Sequence, residues 1–523
     1  MSEYAIELQG ICKYFGKVAA NEDISLKVRR GEILSLLGEN GSGKTTLMNM
    51  LSGIYFPDKG KIFVDGKEVV IRDPKDAYAL GIGMIHQHFK LIDIFTAAEN
   101  IILGNESEPA VLRMKEVTAK IQTLIDRYGF HLPLDKKVYD MSVSEKQTVE
   151  IVKMLYRGAN ILILDEPTAV LTPQETDHLF DVLRKMREDG KSIIIITHKL
   201  REVLSISDEV AILRKGHYIA TVPTSEATEQ SLTEMMVGEK VTLNIDRPDP
   251  VNPKICLEVK DLTCIDDYGV TTLDHVTFDA YAGEILGVAG VAGSGQKELL
   301  ESIAGLQEGT GAIRFTDPQT GKQSDLLDMT PRGIQKLGVS LAFVPEDRLG
   351  MGLVGDMGMP GNMMIRSYRG GATLFLQQKP PRDLSEQIRK RLDVVTPSVS
   401  YPVRRLSGGN VQKVLVGREI SNAPKLLMAA YAVRGLDINT SYAIYHLLNE
   451  QKEGGAAVIY VGEDLDVLLA LCDRIVVLCG GRVTGVVDAR TTTKEEIGLM
   501  MTGEVDRTKM AAAASDGRTN DPT

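Results

Sequence analysis

No apolar run in this 523-residue chain approaches the roughly 18 consecutive residues that a membrane-crossing helix needs. The opening MSEYAIELQG also lacks the apolar stretch of a signal peptide. Neither leader nor anchor is therefore expected, and any work at a membrane must pass through partner subunits. Cysteine is sparse and unpaired. Cys12, Cys256, Cys264, Cys472 and Cys479 are odd in number and contain no CxxC pair, which fits reduced, mostly buried thiols in a cytoplasmic protein. A surplus of basic residues is missing too. The formal net charge of −11 argues against non-specific nucleic-acid binding, and is equally ordinary for a soluble cytosolic protein.

What the chain does have is repetition. Its length alone suggests about three domains, but internal self-similarity reduces that to two. GEIL recurs at Gly31 and Gly283, and glycine-rich loops start at Gly38 and Gly290, both pairs 252 residues apart. MMVGE at Met235 returns as MMTGE at Met500, 265 residues on, so the second copy has gained about a dozen residues internally. The expected domains are residues 1–240 and 255–505. Residues 241–254, with three prolines and no helical period, form the expected linker, and 506–523 a disordered tail.

Each copy opens with alternating apolar and polar residues (Tyr4 to Leu8, Ile255 to Val259), as antiparallel strands do. An apolar strand then runs into the glycine loop, and a helix follows. Later apolar runs (Ile161 to Leu164, Ile193 to Ile196, Leu426 to Met428, Val458 to Val461) read as buried parallel strands. Helices are expected between them, at Glu145 to Tyr156 and Gln174 to Glu188. The fold class is α/β: in each copy a mostly parallel core, an antiparallel flank and a helical insert.

In the first copy, Gly38 to Thr45 reads GENGSGKT and fits GxxxxGK[ST] between strand and helix. Gly38, Asn40, Gly41, Ser42, Gly43 and Thr46 complete a loop whose backbone N–H groups can close around phosphate oxygens, aided by the helix N-terminus. Lys44 would bind the β- and γ-phosphates and the Thr45 hydroxyl would bind Mg²⁺. A strand ending in Asp165-Glu166 puts a metal carboxylate (Asp165) and a base for the attacking water (Glu166) beside that loop. His198, after the next strand, can hydrogen-bond the γ-phosphate. Gln87 would reach metal and water; its neighbours His86 and His88 read as loop histidines, with no third metal ligand nearby. Phe15 is placed to stack on adenine, with Tyr14 the other candidate and core packing the alternative for either.

These motifs, together with LSGGN at Leu406, resemble the ATP-binding cassette (ABC) family over nearly the whole chain. Two fused cassettes with a weakened second phosphate loop resemble ATPase subunits of monosaccharide and nucleoside importers. GIGMIHQHFKL and LYRGANILILDEPTAVLTPQE look nearest to the purine-nucleoside (basic-membrane-protein-type) branch. The resemblance implies two tandem ABC-type domains packed head to tail, with each ATP held between one phosphate loop and the other cassette's signature. Site one would join the first-copy residues to Ser407, Gly408, Gly409 and Asn410, with Asp437 in support.

Site two is eroded from both sides. Lys44, Thr45, Asp165 and Glu166 align with Gln296, Lys297, Ala430 and Tyr431, and His198 and Gln87 with Glu463 and Glu346. The facing signature reads MSVSEKQ from Met141, and Thr172 stands where the crossing loop carries aspartate. Lys297 or Lys146 could partly replace the lost charge, whereas Glu145 would repel a nucleotide. A methionine-rich stretch, Met351 to Met364, would suit a groove for a moving permease helix; a floppy surface loop is its alternative. The basic stretch Arg366 to Arg391 reads as a solvated helical face.

The implied function is ATP-driven import, with ATP and Mg²⁺ as ligands, two transmembrane permease subunits and an extracytoplasmic substrate-binding lipoprotein as partners, and no nucleic acid. One fused chain would serve one permease pair at the cytoplasmic face of the membrane, with no second ATPase chain required. A monosaccharide such as ribose or galactose is the rival substrate. A soluble twin-cassette factor acting on ribosomes or DNA is a remote rival, and a non-hydrolysing scaffold fits only the second half.

Overall fold

A computed structural model describes residues 2–16, 18–86, 89–104, 113–169, 171–238, 245–266, 268–343, 352–368, 376–421, 424–433, 436, 438–462 and 464–503. Gln87, His88, Glu346, Met351, Asp437, Glu463, linker residues 241–244 and the tail 506–523 lie outside them. The chain forms two compact units, Met1–Thr242 and Leu243–Thr523.

In the first unit a six-stranded sheet has the order His217–Pro223, Glu209–Arg214, Ile33–Leu37, Ser192–Ile196, Ile161–Asp165, Ile82–Ile85. All neighbours are parallel except the edge hairpin Glu209–Arg214/His217–Pro223. Strands such as ILSLL, ILILD and SIIII are buried at every position, as expected where both faces of a parallel sheet are covered. One face packs on helices around Ile101, Ile121 and Leu183. The other packs on a four-stranded antiparallel sheet through Ile6, Ile24 and Ile62.

The second unit repeats this plan, with strand order Val339–Phe343, Leu426–Ala430, Ala457–Val461, Ile285–Gly290, Arg474–Cys479, Arg482–Asp488 and its own antiparallel flank. The observed strands and helices exceed the expected ones mainly at their ends; the first strand runs to Phe15 rather than Leu8.

Two details go beyond the expected elements. The described linker residues, from Ile245, are docked on the second unit. Arg247 donates to the carbonyls of Leu469 and Cys472, Asn449 and Lys452 donate to those of Asp246 and Pro248, and Arg490 pairs with Asp249. The methionine-rich stretch is not uniformly a flexible surface. Met359 and Met363 are core residues of a helix, Met359–Ser367, whereas Met357 is exposed.

Candidate active site

Parallel pairing decides what meets at the sheet's C-terminal edge. Asp165 lies opposite Ile196 in register, so the residues following the two strands, Glu166 and Thr197-His198, emerge side by side. Glu166 adopts a left-handed backbone (φ 50°) and donates its N–H to the Ile196 carbonyl at 2.8 Å. A non-glycine residue in that region is strained by of order 1–3 kcal/mol and is held there by its surroundings. The turn aims one Glu166 oxygen at His198, with Nδ1 to Oε1 at 2.9 Å. The other oxygen, Oε2, is buried without a hydrogen-bond partner.

The phosphate loop sits beside this pair. Gly41 and Gly43 take φ of 82° and 95°, a conformation that costs glycine little. A Cβ on Gly43 would collide with the Ala20 carbonyl, and one on Gly38 with the Leu213 carbonyl. Lys44 Nζ donates to the carbonyls of Gly38 and Glu39 at 2.6 and 3.0 Å. Thr45 Oγ1 reaches Asp165 Oδ2 at 3.3 Å. The Ser42 hydroxyl, like Glu166 Oε2, is buried with no partner. Asn40 and Thr46 lie in the same loop and on its helix, Lys44–Leu51. Asn21 was invisible to motif reading; it is fully buried and donates to the Gly43 carbonyl at 3.2 Å, bracing the loop.

Electrostatics concentrate here. Burial, then the neighbouring Glu166 carboxylate, raises the Asp165 carboxyl to about 6. Burial also lowers the Lys44 ammonium, against the pull of Glu166 and Asp165. Packing around His198 disfavours its charged form, yet the Glu166 contact outweighs that and holds the imidazole above its ordinary range. A buried carboxylate pair beside a lysine is a site that waits for compensating charge. Two unpartnered polar atoms, an open glycine cradle and the Thr45/Asp165 oxygen pair together fit an anionic polyphosphate and a hard divalent cation. Two protein oxygens suit Mg²⁺, which keeps waters and phosphate oxygens in its shell.

Phe15 lies at its strand's end, 45 % exposed, and packs edge-to-face on Tyr55 with ring centroids 5.3 Å apart. Lys13 is anchored to Asp58 and the Phe56 carbonyl, and Asp58 also accepts the Tyr14 N–H at 2.7 Å. The Lys13 ammonium lies over the Phe15 ring, 5.7 Å from its centroid.

At the corresponding edge of the second unit the backbone is kept and the side chains differ. Tyr431 takes φ 54° and donates its N–H to Val461 at 3.0 Å, the same turn as Glu166. Ala430, opposite Val461, replaces the metal carboxylate. Gln296 Nε2 donates to the Val291 carbonyl at 3.0 Å, reproducing the Lys44 tether without its charge. Lys297 is 58 % exposed and pairs along its helix with Glu301 at 3.8 Å, so it does not take the lysine's place.

The signatures differ in the opposite sense. Ser407 caps the helix Gly408–Ile420, which has no acidic residue in its first turn. Its Oγ accepts from Asn410 Nδ2 at 2.8 Å, and Asn410 Oδ1 accepts the Val395 N–H at 2.8 Å. A Cβ on Gly409 would meet nothing within 4 Å, so its approach is open. In the first unit Ser142 caps Val143–Tyr156 in a capping box with Glu145, which also binds Lys136 at 2.8 Å. Glu145 therefore closes that helix start from within. Thr172 likewise caps Pro173–Glu188.

The family described as ABC transporter matches residues 21–169 and 273–429. The chain belongs to this family. It carries two fused ABC cassettes, one match in each unit. Among relatives of this ABC protein, the nucleoside import ATP-binding protein NupA of Lactococcus lactis subsp. cremoris is 40 % identical, covering 96 % of this chain and 99 % of the relative. The guanosine import ATP-binding protein NupO of Bacillus subtilis is 41 % identical, covering 97 % and 98 %. The glucose import ATP-binding protein TsgD13 of Haloferax volcanii is 39 % identical, covering 98 % of each. No helix among the described residues is long and apolar enough to cross a membrane.

Proposed function

We propose that this ABC protein is the ATP-hydrolysing subunit of a nucleoside importer, with purine nucleosides as its substrate class, and that it holds one hydrolytic site per chain. The observation that carries the single site is the contrast between the Thr45–Asp165 and His198–Glu166 pairs and their replacement by Lys297, Ala430 and Tyr431. In this reading Lys44 and the loop N–H groups bind the β- and γ-phosphates, and Phe15 stacks on the base. Thr45 and Asp165, with Gln87, would hold Mg²⁺, which would supply positive charge against the phosphate oxygens. Glu166 accepts a proton from the water whose oxygen attacks the γ-phosphorus. The bond to the bridging oxygen breaks, and ADP and inorganic phosphate leave. His198 hydrogen-bonds the γ-phosphate and returns to Glu166 when that phosphate is gone.

Ser407, Gly408, Gly409 and Asn410 complete the site from the second cassette, and their open helix start favours an anion. Two permease subunits and an extracytoplasmic binding lipoprotein complete the transporter at the cytoplasmic face; exposed Ile92, Ile94, Val354 and Met357 supply apolar contact for the permeases. No nucleic acid and no second ATPase chain are needed. Two relatives named for nucleoside or guanosine import support the substrate class. A monosaccharide is the second reading, favoured by the glucose-import relative of nearly equal identity. ATP-dependent uptake of labelled guanosine, adenosine, ribose and glucose by the reconstituted transporter decides. Guanosine or adenosine uptake is expected, and uptake of sugar alone contradicts the nucleoside reading.

A further inference from the structure

One local structure survives in both cassettes although each has lost a different part of its ATP machinery. A short segment between the main sheet and the signature helix is gripped in the same way twice. In the first unit Asn100, fully buried, accepts the Ile92 N–H at 2.8 Å and donates to the Ile92 carbonyl at 3.0 Å. In the second, Asn362, also fully buried, treats Val354 identically at 2.8 and 3.2 Å. Such an amide fork replaces a neighbouring β-strand for one residue and leaves few ways to slide.

The far end of the signature helix grips the segment two residues earlier. Lys153 Nζ points to the Lys90 carbonyl at 3.5 Å, and Arg418 Nη2 donates to the Gly352 carbonyl at 2.9 Å. Both cations are buried. The turn just before each signature grips it from the other side. Val138 and Tyr139 donate to the carbonyls of Phe95 and Asp93, and Val403 and Arg404 to those of Met357 and Gly355. The outer face of the segment stays exposed and apolar, at Ile92 and Ile94 in one unit and Val354 and Met357 in the other. The buried charge is paired in both units, Lys153 with Glu150 at 3.9 Å and Arg418 with Glu419 at 2.6 Å, as burial requires. Its retention where the signature has failed (Lys153) and where the catalytic strand end has failed (Arg418) separates it from ATP chemistry.

We propose that these clamps are mechanical: Asn100 with Lys153, and Asn362 with Arg418, are positioning residues that make the exposed segment and the signature serine of the same unit move as one body. Force on that segment then displaces Ser142 or Ser407 rather than dissipating in a loop. This rests on the transport reading above.

The test uses the full transporter in proteoliposomes, measuring labelled guanosine imported per ATP hydrolysed. Arg418→Met should lower that ratio by about fivefold or more, the scale of losing one hydrogen bond to a charged group, with little change in KM for ATP. Arg418→Lys, which installs the first cassette's residue, should restore most of the ratio. Should Arg418→Met fail to assemble, Asn362→Ser reads the same clamp and must show the same fall. An unchanged ratio in the assembled variants, or no rescue by lysine, overturns the clamp alone. No ATP-dependent uptake by the unmodified transporter overturns the transport reading and the coupling role together.

Discussion

The strand ends Asp165-Glu166 and Ala430-Tyr431 share one backbone and differ in chemistry. Both second residues sit at φ near 50° and both bond their N–H across to the next strand. The first has a buried Asp165 beside a partly buried Glu166, a histidine partner and one unpartnered oxygen; the second carries Ala430 and Tyr431 there. The left-handed turn is an unfavourable place for a bulky aromatic residue. Its survival at Tyr431, with the same N–H bond to the neighbouring strand, ties the conformation to the surrounding parallel strands rather than to the carboxylates.

The contrast can be broken at several points. The largest effect is expected at Asp165. Asp165→Asn should cut ATP turnover by about 10²–10³-fold, as loss of a preorganised charge stabiliser does. The same change should raise the thermal midpoint of the ligand-free first unit at pH 7. Because the folded carboxyl titrates at about 6, above its unfolded value, its favourable contribution is complete below about pH 4. That contribution is lost as pH rises through 6. At pH 7 the wild type thus carries a buried charge that the amide removes. Calorimetry at pH 7 and pH 4 should show the gain at the higher pH only.

A smaller effect is expected at Phe15. Phe15→Ala should raise KM for ATP by about 5–10-fold, the scale of one aromatic stacking contact, and leave kcat nearly unchanged. A fall in kcat alone would remove Phe15 from the base-binding role. The smallest effect is expected from Tyr431→Glu. Steady-state turnover should rise less than about twofold, since the counterparts of Lys44 and Asp165 are still missing and such groups act together.

Much of this was legible in the sequence because parallel strands are short, apolar and end abruptly. ILILDE announces both its burial and the acids at its end, and GENGSGKTT fixes loop, helix and lysine at once. What escaped notice was contact between residues far apart in the chain. Asn21 braces Gly43 from a strand with no motif of its own. Glu145 looked like a repulsive charge beside a nucleotide, but a capping box and Lys136 occupy it locally. Lys297 looked like a substitute cation, yet the helix turns it outward to Glu301. The linker was read from its prolines, which do not show that Arg247, Asn449 and Lys452 bond its described residues to the second unit. Composition and spacing describe one segment at a time, and each of these outcomes depends on a second.

The claim that one chain contains one working site is tested most directly by Glu166→Gln in the assembled transporter. The amide keeps the size of the side chain and the neighbouring phosphate loop, so ATP should still bind. With the base removed from the only competent strand end, turnover should fall by about 10²–10⁴-fold. Residual turnover near half of the wild-type rate would mean that the Ala430-Tyr431 end hydrolyses ATP, and would contradict the account.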